Sequence, residues 1–285
     1  MKNKLVDLAP VVKWAGGKRQ LLADLLPLLP KITPAMTYCE PFVGGGALLF
    51  NKQPAKAIIN DINAELIQVY QVICDNVDEL ISELQKLKNK NKAEDFYAIR
   101  KQDREPKYKK WSRVKKAARI IYLNKTCYNG LFRVNNAGEF NAPFGHYKNP
   151  NIVNKPVLYA VSKYFRQNDV KIFNENYLNI MNKLPKNSFV YLDPPYDPVS
   201  TTANFTGYTQ GGFSKEDQKQ LRKFCEQLDK RGIKFMLSNS DTKFIRAEYN
   251  NPRYNIKTIK ARRIINSDAT KRGEIDEVVI RNYYA

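Results

Sequence analysis

The chain has 285 residues, 43% hydrophobic and 27% charged, a make-up that suits a globular protein with room for an α/β core and one inserted subdomain. Forty-eight Lys and Arg against twenty-eight Asp and Glu leave a net charge of +20, which favours a polyanion partner whose phosphates release counterions on neutralisation. No apolar run approaches the ~20 residues of a membrane helix, and no secretory signal is expected in Met1 to Val12. Cys39, Cys74, Cys127 and Cys225 form no Cys-x-x-Cys pair, so neither a disulfide framework nor a zinc site is expected, and a reducing cytoplasm is the expected compartment. The single histidine, His146, argues against a metal hydrolase or a Ser-His triad.

In chain order, Thr37 to Phe42 runs into Val43-Gly44-Gly45-Gly46 and an apolar Ala47-Leu48-Leu49-Phe50, which predicts strand, glycine turn and helix start. Ala57 to Asp61 predicts a short buried strand, and a helix follows from about Ala64 to Cys74. From Asp75 to about Leu123 the pattern is helical and charged. Between Lys86 and Arg133 there are sixteen basic and four acidic residues, which is +12 of the +20. Thr126 to Pro150 is rich in Gly, Asn, Pro and aromatics and predicts an ordered, irregular loop or hairpin. The α/β pattern returns near Pro156. Val170 to Phe173, Ser188 to Leu192 and Lys234 to Ser238 predict strands. Ser214 to Asp229 predicts an amphipathic helix that starts with a capping-box-like Ser214 and Asp217. Glu277 to Tyr283 predicts a last strand. The simplest architecture is a doubly wound α/β sheet interrupted by a basic, mostly helical insertion.

Gly44-Gly45-Gly46 permits positive φ and close approach of an adenosyl-type ligand, and an acidic residue such as Asp61 at the end of the next strand suits a ribose hydroxyl. A tight structural turn, or a nicotinamide or flavin site, reads much the same, although Gly-x-Gly-x-x-Gly is absent. Asp193-Pro194-Pro195-Tyr196 is more specific. It ends a hydrophobic strand, where open α/β sheets place their ligands. Two prolines make a rigid, extended turn with two donors missing. The result is a carboxylate, a free carbonyl and an aromatic face side by side. Asp193 and the Pro194 carbonyl can each accept a hydrogen from an exocyclic amine and aim its lone pair at a methyl donor, while Tyr196 stacks on the ring.

These motifs, with Glu40-Pro41-Phe42-Val43-Gly44-Gly45-Gly46, resemble the amino-methyltransferases of DNA. Their order is that of the alpha group, and the chain is most similar to the Dam-type, D12 class adenine methyltransferases of bacteria and phages, which act on GATC. The resemblance extends to Lys13-Trp14-Ala15-Gly16-Gly17-Lys18, Asn60-Asp61-Ile62-Asn63, Tyr128 to Arg133, and Phe140 to Gly145. It implies a Rossmann-like doubly wound methyltransferase sheet from residues 1–75 and 156–285, with residues 76–155 an inserted, mostly helical target-recognition domain whose hairpin spans about 126–147.

The resemblance also implies roles. Trp14, Gly16, Lys18, Phe42, Gly44, Asp61, Asn176 and Tyr177 would bind S-adenosylmethionine, with Asp193 bordering the same pocket. Lys18 would sit near the cofactor's carboxylate and Asp61 on its ribose. Asp193, Pro194 and Tyr196 would hold the target base, with no metal. Lys13 would reach the first guanine of GATC. Tyr128, Asn129, Leu131 and Arg133 would enter the duplex, Tyr128 propping the site of a flipped adenine and Arg133 reading a guanine, and Pro143 would add an apolar contact. Such enzymes often act as monomers on double-stranded DNA, with a dimer on DNA the alternative. His146 stands where they often carry arginine. Ser200 to Phe213, with Phe205, Tyr208 and Thr209, would close over the base, and Arg262 to Arg272 would form a second basic loop. Two alternatives remain open here: an amino-methyltransferase of another acceptor (N4 of cytosine, adenine in RNA, a protein amide), and a DNA-binding module without catalysis.

Overall fold

The computed structural model describes residues 8–199, 213–262 and 274–284. Its helices are α1 (Leu22–Leu25), α2 (Ala47–Lys52), α3 (Ala64–Asp75), α4 (Val77–Leu87), α5 (Ala93–Lys101), α6 (Arg113–Thr126), α7 (Lys155–Gln167), α8 (Lys215–Lys230) and α9 (Lys243–Glu248). Its strands are β1 (Thr37–Glu40), β2 (Lys56–Asn60), β3 (Asp169–Phe173), β4 (Ser188–Leu192), β5 (Lys234–Ser240), β6 (Asn255–Arg262) and β7 (Glu274–Arg281). No described helix is long and apolar enough to cross a membrane. The chain divides into two compact units: one of Met1–Gly17, Gly44–Gln53 and Asn63–Asn174, the other of Lys18–Val43, Pro54–Ile62 and Glu175–Ala285. The first unit reaches beyond residues 76–155 and takes in α2, α3, α7 and β3.

The second unit is built on a sheet whose strands run β2-β1-β4-β5-β7-β6. β1 pairs in parallel with β2 and β4, and β4 with β5, whereas β7 runs antiparallel to both of its neighbours. All five residues of β4 are buried, as expected of a parallel strand covered on both faces. Packing of α8 against β5 buries Leu221, Phe224, Cys225 and Leu228. The capping box at its start is present in full, Ser214 accepting from the Asp217 amide at 3.2 Å and Asp217 from the Ser214 amide at 2.7 Å. The α/β class, the early strands and the Ser214 cap follow the expectation, with bounds moved by a residue or two. β6 and α7 were not anticipated. The alternation of β6 is blurred by Lys257 and Lys260, which suits the sheet edge it occupies.

In the first unit α6 packs against α3, α4 and α5 and is buried along most of its length, from Val114 to Thr126. Residues 126–147 take the irregular form rather than a regular hairpin: a 3-10 turn at Tyr128–Gly130 and two isolated antiparallel bridges, Cys127 to Phe144 and Val134 to Phe140. Backbone without a ladder still needs partners, and arginine side chains supply many of them. Arg100 donates to the Ala142 carbonyl at 3.1 Å, Arg104 to the Phe140 carbonyl at 3.2 Å, and Arg133 to the Asn141 carbonyl at 3.0 Å.

Arg119 organises this region from inside the core. It is 1% exposed, donates to the carbonyls of Ile99 and Arg100 near the end of α5, and pairs with Asp103 at 2.8 Å. The same Asp103 oxygen accepts the Phe140 amide at 2.8 Å. Removing one partner of a buried pair strands the other, at a cost of about 3–5 kcal/mol. Arg119→Met should therefore lower the unfolding free energy by about that much in urea titrations, whereas Lys107→Met, which breaks an exposed pair with Glu105, should change it by less than about 1 kcal/mol.

Candidate active site

The buried run of β4 stops at Leu192, and the next residues are Asp193, Pro194, Pro195 and Tyr196. Neither proline has an amide to extend the ladder, so the chain leaves the sheet at its carboxyl end. Three contacts hold the turn. Asp193 receives the Lys18 ammonium at 2.9 Å. Tyr196 donates its hydroxyl to Glu277 of β7 at 2.8 Å. The Pro195 carbonyl accepts the side-chain amide of Gln218 at 2.9 Å, and Gln218 in turn accepts from Asn239 of β5 at 3.0 Å. The Lys18 ammonium also lies 4.6 Å from the centre of the Tyr196 ring. Lys18 is thus held by Asp193 and Tyr196, a placement the sequence does not disclose.

Burial raises the pKa of Asp193 from 3.8 to about 6. The Lys18 ammonium pulls it the other way, and the Glu277 carboxylate adds to the rise. Asp193 is therefore an anion at neutral pH that gives up its charge in mildly acidic solution. Glu277 is part of this cluster although sequence reading did not single it out. It opened a predicted strand and nothing local marked it, because β7 approaches from more than eighty positions away.

A second group gathers at the carboxyl ends of β1 and β2. Asn60, the last residue of β2, is 1% exposed. Its side-chain amide donates to the carbonyls of Pro41 and Glu175 at 2.9 and 3.0 Å, and its oxygen accepts the Glu175 amide at 2.9 Å. Its own carbonyl takes the Val43 amide at 2.8 Å. One buried asparagine thereby fastens the segment carrying Phe42 to the segment carrying Asn176 and Tyr177. The Phe42 and Tyr177 rings meet with centroids 5.0 Å apart, and Phe213 lies 6.2 and 6.4 Å from them. The Tyr177 hydroxyl is buried without a hydrogen-bond partner among the described residues. Asn176 is exposed and caps the following 3-10 turn through the Leu178 amide at 3.0 Å. Asp61 stands half-buried directly after β2.

The remaining predicted residues that the structure describes lie in the first unit. Trp14 stacks on Phe132 at 5.0 Å, and its carbonyl accepts the Gly17 amide at 3.0 Å, closing a turn in which Gly16 has φ +72°. Gly44 has φ +47°, and a Cβ there would stand 3.0 Å from the Trp14 indole, so the close approach that demands glycine here comes from the protein itself. Lys13, Tyr128 and Pro143 are exposed, while Asn129, Leu131 and Arg133 are half-buried. The Tyr128 amide donates to the Pro143 carbonyl at 2.8 Å, which brings those two positions together. Asn129 has φ +55°. Arg133 is braced by the Asn141 side chain at 2.7 Å as well as by its carbonyl. His146 is exposed with φ +52°, its ring 4.7 Å from that of Phe144. Phe205, Tyr208, Thr209 and residues 263–272 lie outside the described residues.

The model of the D12 class N6 adenine-specific DNA methyltransferases matches residues 14–265. The chain is 42% identical to the Type II methyltransferase M1.LlaDCHI of Lactococcus lactis subsp. cremoris, over 99% of this chain and 98% of that protein. It is 42% identical to the Type II methyltransferase M.MjaIII of Methanocaldococcus jannaschii, over 98% and 100%. It is 36% identical to the DNA adenine methylase of Escherichia coli K12, over 94% and 93%. A match of this extent, over a chain whose Asp-Pro-Pro-Tyr turn ends a buried parallel strand, identifies the protein as a member of the D12 class of N6 adenine-specific DNA methyltransferases.

Proposed function

We propose that this enzyme transfers the methyl group of S-adenosylmethionine to N6 of an adenine flipped out of duplex DNA, within GATC, and acts as a monomer. The observation that carries the reading is the turn after β4, where Asp193 is held by Lys18 and Tyr196 by Glu277. The amine of adenine is a weak nucleophile because its lone pair is delocalised into the ring. Asp193 and the Pro194 carbonyl each accept one of its hydrogens, which localises the lone pair and orients it. Tyr196, braced through its hydroxyl, offers its ring face to the base. Positioning and a preorganised acceptor charge supply the rate, with no covalent intermediate on the protein.

The residues fit the cofactor. Phe42 and Tyr177 make an apolar wall for an adenine ring, the Tyr177 hydroxyl, without a partner among the described residues, is available to a polar ligand atom, and Asp61 follows β2 where a ribose acceptor is needed. We also assign Asn176 to the cofactor and, on the family resemblance alone, Trp14, Gly16 and Gly44, and the ammonium of Lys18, with three donors, serves both Asp193 and the cofactor's carboxylate. When bound, S-adenosylmethionine supplies a sulfonium-activated methyl group. For the duplex we assign Lys13 and Arg133 to guanines, Tyr128, Asn129 and Leu131 to the space around the flipped base, and Pro143 to an apolar contact. Residues 76–155 form the recognition region on this reading. Unstacking the target adenine costs a few kcal/mol, which contacts from an inserted aromatic repay.

Asp193→Ala should reduce methyl transfer on the order of 10²–10³-fold while leaving S-adenosylmethionine binding near the wild-type value, as read by calorimetry and by label incorporation. Retained transfer would overturn the assignment. The acid limb of the rate profile should have its midpoint near pH 6, because the acceptor carboxylate is lost as pH falls through the pKa of Asp193. Glu277→Gln removes a charge that raises this pKa and should move the midpoint down, and Lys18→Met removes one that lowers it and should move the midpoint up. Equal labelling of duplexes carrying GATC and its single-base variants would refute the sequence specificity.

A further inference from the structure

Asn124 sits near the end of α6 and is 1% exposed. Asparagine is a poor choice inside a helix, since its side chain competes for nearby backbone groups. Here it reaches away from its own helix. Its oxygen accepts the Lys13 amide at 2.8 Å, and its nitrogen donates to the Lys13 carbonyl at 2.7 Å and to the Gly130 carbonyl at 3.0 Å. The side chain treats Lys13 as a neighbouring strand would, and with its remaining hydrogen takes hold of the turn at Tyr128–Gly130.

A second observation couples the same two segments. Gly130 has φ +66°, and a Cβ placed on it would fall 2.5 Å from Cδ and 2.8 Å from Cβ of Lys13. The aliphatic stem of Lys13 therefore lies against the turn, and its ammonium lies 5.1 Å from the centre of the Tyr147 ring. Backbone and side chain of Lys13 are both referenced to one turn, although more than a hundred residues separate them in sequence.

We propose that Asn124 is a positioning residue for specificity: by clamping Lys13 to the turn that carries Tyr128, Asn129 and Leu131, it makes two separate base-reading elements act as one rigid unit. This rests on the reading that Lys13 and the turn contact bases. Directed contacts to base edges tolerate displacements of only about 0.5 Å, so an element free to drift loses discrimination before it loses affinity for the duplex.

The test compares kcat/KM on duplexes carrying GATC with kcat/KM on its single-base variants. Asn124→Ala should lower that ratio about tenfold, at the position read by Lys13 and at the position read through the turn alike, a loss comparable with removing one good base contact. S-adenosylmethionine binding should stay unchanged. Gly130→Ala, which keeps the Asn124 side chain but crowds the Lys13 stem and strains the backbone that Asn124 holds, should lower the ratio in the same way and serves if Asn124→Ala folds poorly. Ile121→Val, buried on the same helix, should lower the melting temperature and leave the ratio intact, separating positioning from stability. Discrimination lost in Lys13→Ala but intact in both Asn124→Ala and Gly130→Ala overturns the proposal alone. Discrimination intact in Lys13→Ala overturns the base-reading role of Lys13, and the proposal with it.

Discussion

A parallel ladder ends where its amides run out. β4 lies between β1 and β5, wholly buried, and directly beyond it come Asp193 and two prolines that cannot donate. That constraint puts a carboxylate at the sheet's carboxyl end and keeps the backbone beyond it stiff. The surrounding contacts then set what the carboxylate is. Burial favours its protonated form, Lys18 favours the anion, and the balance leaves a group that is charged near neutrality and weakly solvated. A carboxylate of that kind accepts hydrogen bonds strongly, because little water competes for it.

Two buried asparagines do comparable work in the two units. Asn60 joins the loop after β1 to the segment at Glu175, and Asn124 joins Lys13 to the turn at Gly130. A primary amide is suited to this task. It offers two donors and an acceptor in one plane, and it carries no charge that would cost several kcal/mol to bury. Where functional segments are irregular, such a side chain substitutes for the missing ladder.

The basic excess has two fates. Arg100, Arg104, Arg119 and Arg133 are engaged by carbonyls and carboxylates at Ile99 to Asp103 and residues 139–142, Arg119 buried and the other three partly or largely open to solvent. Lysines such as Lys107, Lys109, Lys110 and Lys115 are exposed. The division follows side-chain chemistry, since the planar guanidinium satisfies several carbonyls at fixed angles, while an ammonium is better left hydrated. A charge count therefore points correctly to a polyanion but overstates how much of the charge faces one.

Local pattern was enough for the α/β class, the strand leading to Asp193, the glycine turn and the Ser214 cap, because each depends on neighbours within a few residues: apolar runs, missing amides, a side chain reaching three positions along. Family resemblance added the roles proposed for Lys13, Tyr128 and Arg133, which no periodicity carries. Four features were beyond the reach of either. Lys18 lies against Asp193, Glu277 braces Tyr196, Asn60 holds Glu175, and Asn124 holds Lys13. Each joins positions from about eighty to 175 residues apart. In the sequence they are an ordinary lysine, glutamate and pair of asparagines, and their meaning arises only when the fold brings a partner into hydrogen-bonding distance and excludes the water that would otherwise serve each of them equally well.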